Sequence, residues 1–330
     1  IEQPFTAGSS VQVVSDHGDI NLNSWDENKI KIVVHKRVVS DSEDSAKKAN
    51  ESTRPVVTTA TSLITINANT AGAGQTRVAS DLDIYLPASA AVDISSRHGD
   101  VVVHTRAGNV KVASTHGDIT VQDVKGDASL LARRGSVRAE DVTGDLTVEG
   151  RLSEGTFNNI GGSFHLNGDV FGSMKLGKVG KSVQFTSSRT DMHFGKLDGQ
   201  LTLDSGDMRA SQLAGPFSVV TRSKDIHLDD VAGDVRVEDT NGEVEIQVTK
   251  LPLGNIDVQN RNGQVRVTVP SKAMFQIEAK TRRGDIESEF NEVKVDTSHG
   301  ESTGSGSVGS GGARIQINNE HGGIAIRKAG

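Results

Sequence analysis

The chain has 330 residues, is 34% hydrophobic and 3% aromatic, and carries 36 Lys and Arg against 43 Asp and Glu, for a formal charge of −7. That balance argues against a general nucleic-acid binder, which needs a basic face to displace counterions from phosphates. There is no cysteine, so disulfides, zinc–thiolate sites and thiol nucleophiles are excluded, and no apolar run approaches the ~20 residues of a membrane helix.

The chain opens at Ile1 rather than Met, and a removed signal or anchor segment is expected. Gly18-Asp19-Ile20-Asn21-Leu22 is a corner followed by alternating apolar residues, with Trp25 beyond it, and residues 29–34 read as a strand. Residues 41–51 are the one expected helix. They open on a capping residue and early acids and stop before Pro55. Being mostly polar, this helix is expected to cover a sheet edge or end. Residues 56–67 and 77–86 read as further strands, separated by a turn at Ala71-Gly72-Ala73-Gly74 and closed by Pro87.

From Val92 the pattern becomes regular, and over residues 117–246 it is a repeat. The apolar set Ile119, Val121, Val124, Ala128, Leu130 returns 18 residues on as Val137, Ala139, Val142, Leu146, Val148. The third position then reads Val124, Val142, Ile160, Val179, Leu197, Leu213, Val231. The first reads Ile119, Val137, Gly155, Met174, Met192, Met208, Ile226, Val244. In the coil before the repeat, Arg106 stands where Val124 stands in the next. A fixed period near 20 residues marks a solenoid, and alternation at period 2 within each unit marks strands. Gly-Asp, Gly-Ser and Asn-Gly pairs fall between the strands, where positive φ and Asx bonding suit a tight corner. Each unit is thus two short strands and two corners. The expected fold is all-β, a single-stranded parallel β-helix (β-solenoid) of about 18 residues per coil, right-handed by the general rule for parallel crossovers.

After Ile246 the period loosens around Pro252 and Pro270. Residues 301–312 have the Gly/Ser composition of a mobile loop, and 313–328 read as closing strands. One continuous domain is expected over 1–330: an irregular cap with its helix over 1–91, regular coils over 92–290, and the loop with closing strands over 291–330.

The recurring Gly18-Asp19-Ile20, Gly99-Asp100-Val101, Gly117-Asp118-Ile119 and Gly284-Asp285-Ile286 corners give the chain a resemblance. So do the proline-ended strands Leu82-Asp83-Ile84-Tyr85-Leu86-Pro87 and Val265-Arg266-Val267-Thr268-Val269-Pro270, and the closing His321-Gly322-Gly323-Ile324-Ala325-Ile326. The chain resembles the bacterial "putative adhesin" family of unknown function. The resemblance implies a β-solenoid facing outside the cytoplasm, on the cell surface or in the periplasm. It supplies no ligand and no catalytic residues.

Histidines precede glycine at five corners, His17, His98, His116, His299 and His321. His98 and His116 should stack beside Asp100 and Asp118, a pattern that could hold a metal, but the next position is Arg134, and a polar corner ladder is the expected reading. The Gly-Gly pattern of calcium rolls is absent. Asp123 and Asp141 would stack near the separation of a retaining glycosidase pair, but acids sit at corners throughout and aromatics for sugar stacking are scarce. Arg283-Gly284-Asp285 is one Gly-Asp corner among many. No catalytic residue, metal ligand or cofactor is therefore assigned.

Charge placement is more distinctive. One corner file reads Arg97, Thr115, Arg133, Arg151, with Arg134, Arg189, Lys224 and Arg283 beside it, and an outward row reads Thr120, Arg138, Thr156, Lys175, His193, Arg209, His227. The opposite corner carries acids such as Asp127, Asp145 and Asp234. Arg97, Arg133, Arg134, Arg138, Arg151, Lys175 and Arg209 are the candidate ligand-binding residues, with an anionic polysaccharide or a surface protein as partner. The expected function is a non-catalytic extracytoplasmic scaffold. The alternatives are a polysaccharide lyase or hydrolase and a sensory ectodomain of an envelope protein.

Overall fold

The structure is a computed structural model that describes residues 1–73, 76–298 and 300–329; His299 and Gly74 of the expected turn lie outside the described residues. Among the described residues there are 31 strands, the helix Glu43–Ser52 and a 3-10 turn at Thr70–Ala73. The chain is therefore all-β with one short helix. It divides into two compact units, Ile1–Ser163 with Asn167–Phe171, and Phe164–Leu166 with Gly172–Gly330.

In the first unit the expected coils form two walls. One stacks Val92–His98, Val110–His116, Ala128–Ala132 and Leu146–Leu152, all parallel, with Val92, Val110, Ala128 and Leu146 in register. The other stacks Val101–Arg106, Ile119–Val124, Val137–Val142 and Gly155–Ile160, also parallel, so that Val124, Val142 and Ile160 form one file. Residues 18 apart are neighbours across the ladder, and the apolar files are buried, with Ile119, Val121, Val124, Ala128 and Leu130 at 0–2% exposure. Each such Val, Leu or Ile contributes about 1.5–3 kcal/mol relative to an exposed one.

Spatial order departs from chain order at the N-terminus. Ser10–Ser15 lies between Leu63–Asn67 and Val92–His98, and Ile20–Trp25 lies between Arg77–Pro87 and Val101–Arg106, every pairing parallel. The first coil is thus inserted beneath the coil that begins at Val92, with both its edges paired. The outer strands Arg77–Pro87 and Leu63–Asn67 are covered by the antiparallel strands Lys29–Val39 and Val56–Thr59, which occupy edges that would otherwise be open to association. The helix starts where expected. Ser42 caps it by accepting the Ser45 N–H at 3.2 Å, only Ala49 is buried, and Lys36 Nζ ties its end through the carbonyls of Asn50 and Thr53.

The second unit corrects the regular repeat. Asp191–Leu203 runs backwards, antiparallel to Met174–Val179 and Val183–Thr186 on one side and to Asp207–Val220 on the other. Met192 therefore pairs with Phe185 and Val219, and Met208 with Leu203, so the expected file Met174–Met192–Met208 does not exist. The apolar spacing explains why a reversed coil fits. Met174, Leu176, Val179, Val183 and Phe185 are separated by 2, 3, 4 and 2 residues, and read backwards, Leu203, Leu201, Leu197, Phe194 and Met192 by 2, 4, 3 and 2. The pattern is almost its own mirror image. The middle file survives as Val179–Leu197–Leu213, and the one-residue mismatch on either side of it appears as register shifts beside Val179 and Leu197. The reversals occur at two short turns, with Ser187 Oγ accepting the Thr190 N–H and Asp204 Oδ1 accepting the N–H groups of Gly206 and Asp207.

Parallel stacking resumes through Val235–Asn241 and Ile256–Asn262. The C-terminal piece does not close the stack: Ala313–His321 inserts between Ile256–Asn262 and Phe275–Arg283. The expected mobile loop is a strand, Glu301–Val308, antiparallel to Phe275–Arg283. Its small residues are required by close approach. A Cβ on Gly306 would strike the Glu292 carbonyl, and the buried Ser302 Oγ donates to Gly284 O at 2.9 Å.

Candidate ligand-binding surface

The corner that leads into Ile119 is built the same way in successive coils of the first unit. Gly18, Gly99, Gly117 and Gly135 adopt φ of +123°, +127°, +136° and +139°. A Cβ on Gly117 would collide with Gly99 O, and one on Gly135 with Gly117 O, so the corners nest only as glycine. The aspartate that follows is structural. Asp19 Oδ1 accepts the Asp100 N–H at 2.9 Å, Asp100 Oδ1 that of Asp118 at 2.8 Å, and Asp118 Oδ1 that of Ser136 at 2.7 Å. The opposite corner repeats the device with Asn109, Asp127 and Asp145, each accepting the corner amide of the next coil at 2.8–3.0 Å.

Asp19, Asp100 and Asp118 each give one oxygen to the backbone, and beside them the corner carries two files of side chains. In one, the rings of His17 and His98 stack at 4.7 Å and 9°, and those of His98 and His116 at 4.8 Å and 4°. Arg134 continues it, with Nη1 3.3 Å from His116 Nε2. Arginine can only donate, so Nε2 accepts and the His116 proton sits on Nδ1, which is buried without a partner among the described residues. The second file is Arg97, Thr115, Arg133, Arg151. Arg97 Nε lies 3.5 Å from Asp16 Oδ1. Arg133 and Arg151 are exposed and make no ion pair among the described residues.

Arg97, Arg133, Arg134 and Arg151 are thus brought together. Arg138 lies on the outer wall, paired with Glu140 at 2.7 Å. Lys175 and Arg209 belong to the second unit, and their row is corrected by the reversed coil: Lys175 faces Thr202, Thr202 faces Arg209, Arg209 faces His227, while His193 faces Gln184 and Ser218. Lys224, read as part of the basic edge, is buried at 9% exposure. Its Nζ donates to the Asp204 carbonyl, and burial pushes its pKa down.

Asp123 and Asp141 hold the left-handed kink that each coil makes before its third apolar file, at φ +56° and +57°, a conformation Asp and Asn adopt most readily. Asp141 Oδ1 accepts from Asn159 Nδ2 at 2.6 Å. No group of three or more His, Asp or Glu among the described residues is arranged to hold a metal ion.

Three features were given no role in the sequence reading, although Arg106 was already placed there in the file of Val124. Arg106 is 1% exposed in the apolar file, its guanidinium donating to the carbonyls of Pro87 and Ala90 at 2.7 Å each and to Ser24 Oγ at 3.0 Å. Burial lowers its pKa to about 10. Asp239 is 6% exposed and its carboxyl pKa is raised, chiefly by burial. A shallow groove of about 430 Å³ in the second unit is lined by Pro216, Ser218, Arg236, Asp257, Arg314 and Gln316, among others. Its ring, Phe217, is buried, and Arg314 is paired with Glu278 at 3.0 Å. Periodicity marks only part of it: Ser218 and Arg236 are 18 apart and in register, while Asp257 follows the excursion around Pro252 and Arg314 and Gln316 come from the inserted C-terminal strand.

Among the described residues no helix is long and apolar enough to cross a membrane. A family model described as Toastrack DUF4097 matches residues 10–327. No curated protein matches the chain. Three solved structures align along nearly its whole length at low similarity. A "putative cell adhesion protein" from Clostridium sporogenes has 11% identity, covers 100% of this chain and 98% of its own, and gives a TM-score of 0.21. A "putative adhesin" from Bacteroides fragilis has 10% identity, 99% and 96% coverage, and a TM-score of 0.22. Another "putative adhesin", from Parabacteroides distasonis, has 11% identity, 99% and 95% coverage, and a TM-score of 0.22.

Proposed function

The chain belongs to the Toastrack DUF4097 family, and from that premise we propose that it is a non-catalytic surface or scaffold module, working outside the cytoplasm, whose basic corner docks an anionic envelope glycan. The observation that carries this reading is the pair of outward files in consecutive coils of the first unit, Arg97–Thr115–Arg133–Arg151 beside His17–His98–His116–Arg134. The chain as a whole is acidic, yet this edge presents arginines, and its exposed aspartates Asp19, Asp100 and Asp118 each commit one oxygen to a corner amide of the next coil. A line of like charge on a rigid support focuses an oppositely charged polymer. The non-catalytic reading is supported by Asp123 and Asp141, the carboxylates that sequence spacing paired for glycoside hydrolysis, which occupy left-handed kinks of the coil, Asp141 with one oxygen held by Asn159 Nδ2.

The test is retention of the chain on a heparin column at low salt, beside the triple variant Arg133→Glu, Arg134→Glu, Arg151→Glu. Retention lost in the variant, with its circular dichroism unchanged, supports the reading. Equal retention of both proteins overturns it.

A further inference from the structure

We propose that the occupant of the basic corner is a linear polyuronate, read at one carboxylate per coil. This rests on the anionic-glycan reading and adds the spacing of charge. The stacked rings measure the rise of the corner directly, 4.7 Å from His17 to His98 and 4.8 Å from His98 to His116, the inter-strand spacing of a parallel sheet. A pyranose in an extended chain advances the polymer by about the same distance. A polymer with a carboxylate on every sugar therefore stays in step with the coils. One charged on alternate sugars leaves every second coil without a partner.

The groups that meet it change from coil to coil. They are Arg97 with His98, Thr115 with His116, Arg133 with Arg134, and Arg151 alone. Arginine suits the role because its planar fork donates two parallel hydrogen bonds to a carboxylate. Arg133 and Arg151 are held by no ion pair among the described residues, and Arg97 is held by an exposed contact of 3.5 Å to Asp16, the kind that contributes little. Thr115 and the Nε2 edge of His98, whose Nδ1 lies 3.3 Å from the Asp16 carbonyl, offer hydrogen bonds to sugar hydroxyls, while His116 Nε2 is taken by Arg134. Asp100 and Asp118, which would repel the chain, spend an oxygen each on the amides of the coil above. Four coils carry the file, so four sugars fill it. Phosphate polymers carry their charges on a flexible backbone with no such step.

The experiment is calorimetric titration of the full chain with oligogalacturonates of one to six residues, and with hyaluronate fragments matched in carboxylate number. Affinity should rise with each galacturonate up to four and then level, with matched hyaluronate at least tenfold weaker. Thr115→Arg, which fills the one coil lacking a cation, should tighten the tetramer at least threefold, and a gain cannot come from misfolding. Equal affinity for the two series, or polyphosphate displacing the tetramer at equal charge without dependence on its length, overturns the spacing while leaving the surface reading intact. No binding of either series, together with unchanged heparin retention in the triple variant, removes both.

Discussion

Asp100 Oδ1 accepts the backbone N–H of Asp118 at 2.8 Å, and Asp118 passes the same bond to Ser136 at 2.7 Å. The Gly-Asp pair is thus two devices in one. The glycine lets corners nest, and the carboxylate satisfies a corner amide on the next coil. Charged acceptors make the stronger hydrogen bonds, and this one is exposed, so water replaces part of what it supplies. Asp118→Ala should therefore lose about 0.5–1 kcal/mol in urea unfolding. Asp118→Asn should lose less than half of that, because Asn109 already does the same work with a neutral oxygen, accepting the Asp127 N–H at 3.0 Å. Equal losses would mean that charge, not hydrogen bonding, holds the corner.

Arg106 carries a charge into the apolar file without a carboxylate to meet it, and its carbonyl partners keep it there. A guanidinium can serve Pro87 and Ala90 together, whereas an ammonium keeps the cost of burying charge and loses the fork. Arg106→Lys should therefore be less stable than Arg106→Met, by about 1 kcal/mol or more. The reverse order in the same unfolding assay would show that neutralising those carbonyls matters more than desolvation.

Asp239 shares a file with Asn260 and Asn319, which donate from Nδ2 to the carbonyls of Gly242 and Gly263 at 3.0 and 2.9 Å. A carboxylate there is out of place, and burial raises its pKa. Between the unfolded and the folded value of that pKa, the folded chain binds more proton at this group than the unfolded chain does. Stability linked to this group is present below the unfolded carboxylate pKa and is lost as pH rises through the folded one. Asp239→Asn should be more stable than the parent at pH 7, with the difference gone near pH 4, about the unfolded carboxylate value. A variant less stable at pH 7 would show that the charged form is the one the fold accommodates.

The reversed coil can be tested because the chain has no cysteine of its own. Gln184 faces His193 in the antiparallel register, whereas the 18-residue period would put it against Thr202. Gln184→Cys with His193→Cys should close a disulfide on mild oxidation, and Gln184→Cys with Thr202→Cys should not. The opposite result would restore a uniform parallel coil.

The solenoid was legible because burial imposes the same apolar spacing on every coil, and Val124, Val142 and Ile160 fall in one file as their 18-residue spacing requires. Direction was not legible, since a nearly mirror-symmetric spacing buries the same side chains whichever way the strand runs. The signals that mark the reversals are local, Ser187 and Asp204 bonding their own turns. Insertion of both terminal segments between other coils left no trace either, because an inserted coil carries the ordinary pattern. The Gly/Ser strand Glu301–Val308 was misread because glycine serves close packing as well as flexibility. Of the candidate site residues, those at corners came together, because corner files follow the period in the first unit. Lys175 and Arg209 are carried by the second unit, on strands on either side of the reversed coil.

Everything proposed for the basic corner depends on residues 18 apart being neighbours in the first unit. Thr120 faces Arg138 in the ladder, within the ~4.4–6.8 Å between Cα atoms that a disulfide spans. Oxidation of Thr120→Cys with Arg138→Cys, read by mass spectrometry, should give near-complete intramolecular crosslinking, and Thr120→Cys with Glu140→Cys, two residues out of register, should give little. Crosslinking of the second pair but not the first would contradict the stacking of the coils, and with it the file of arginines.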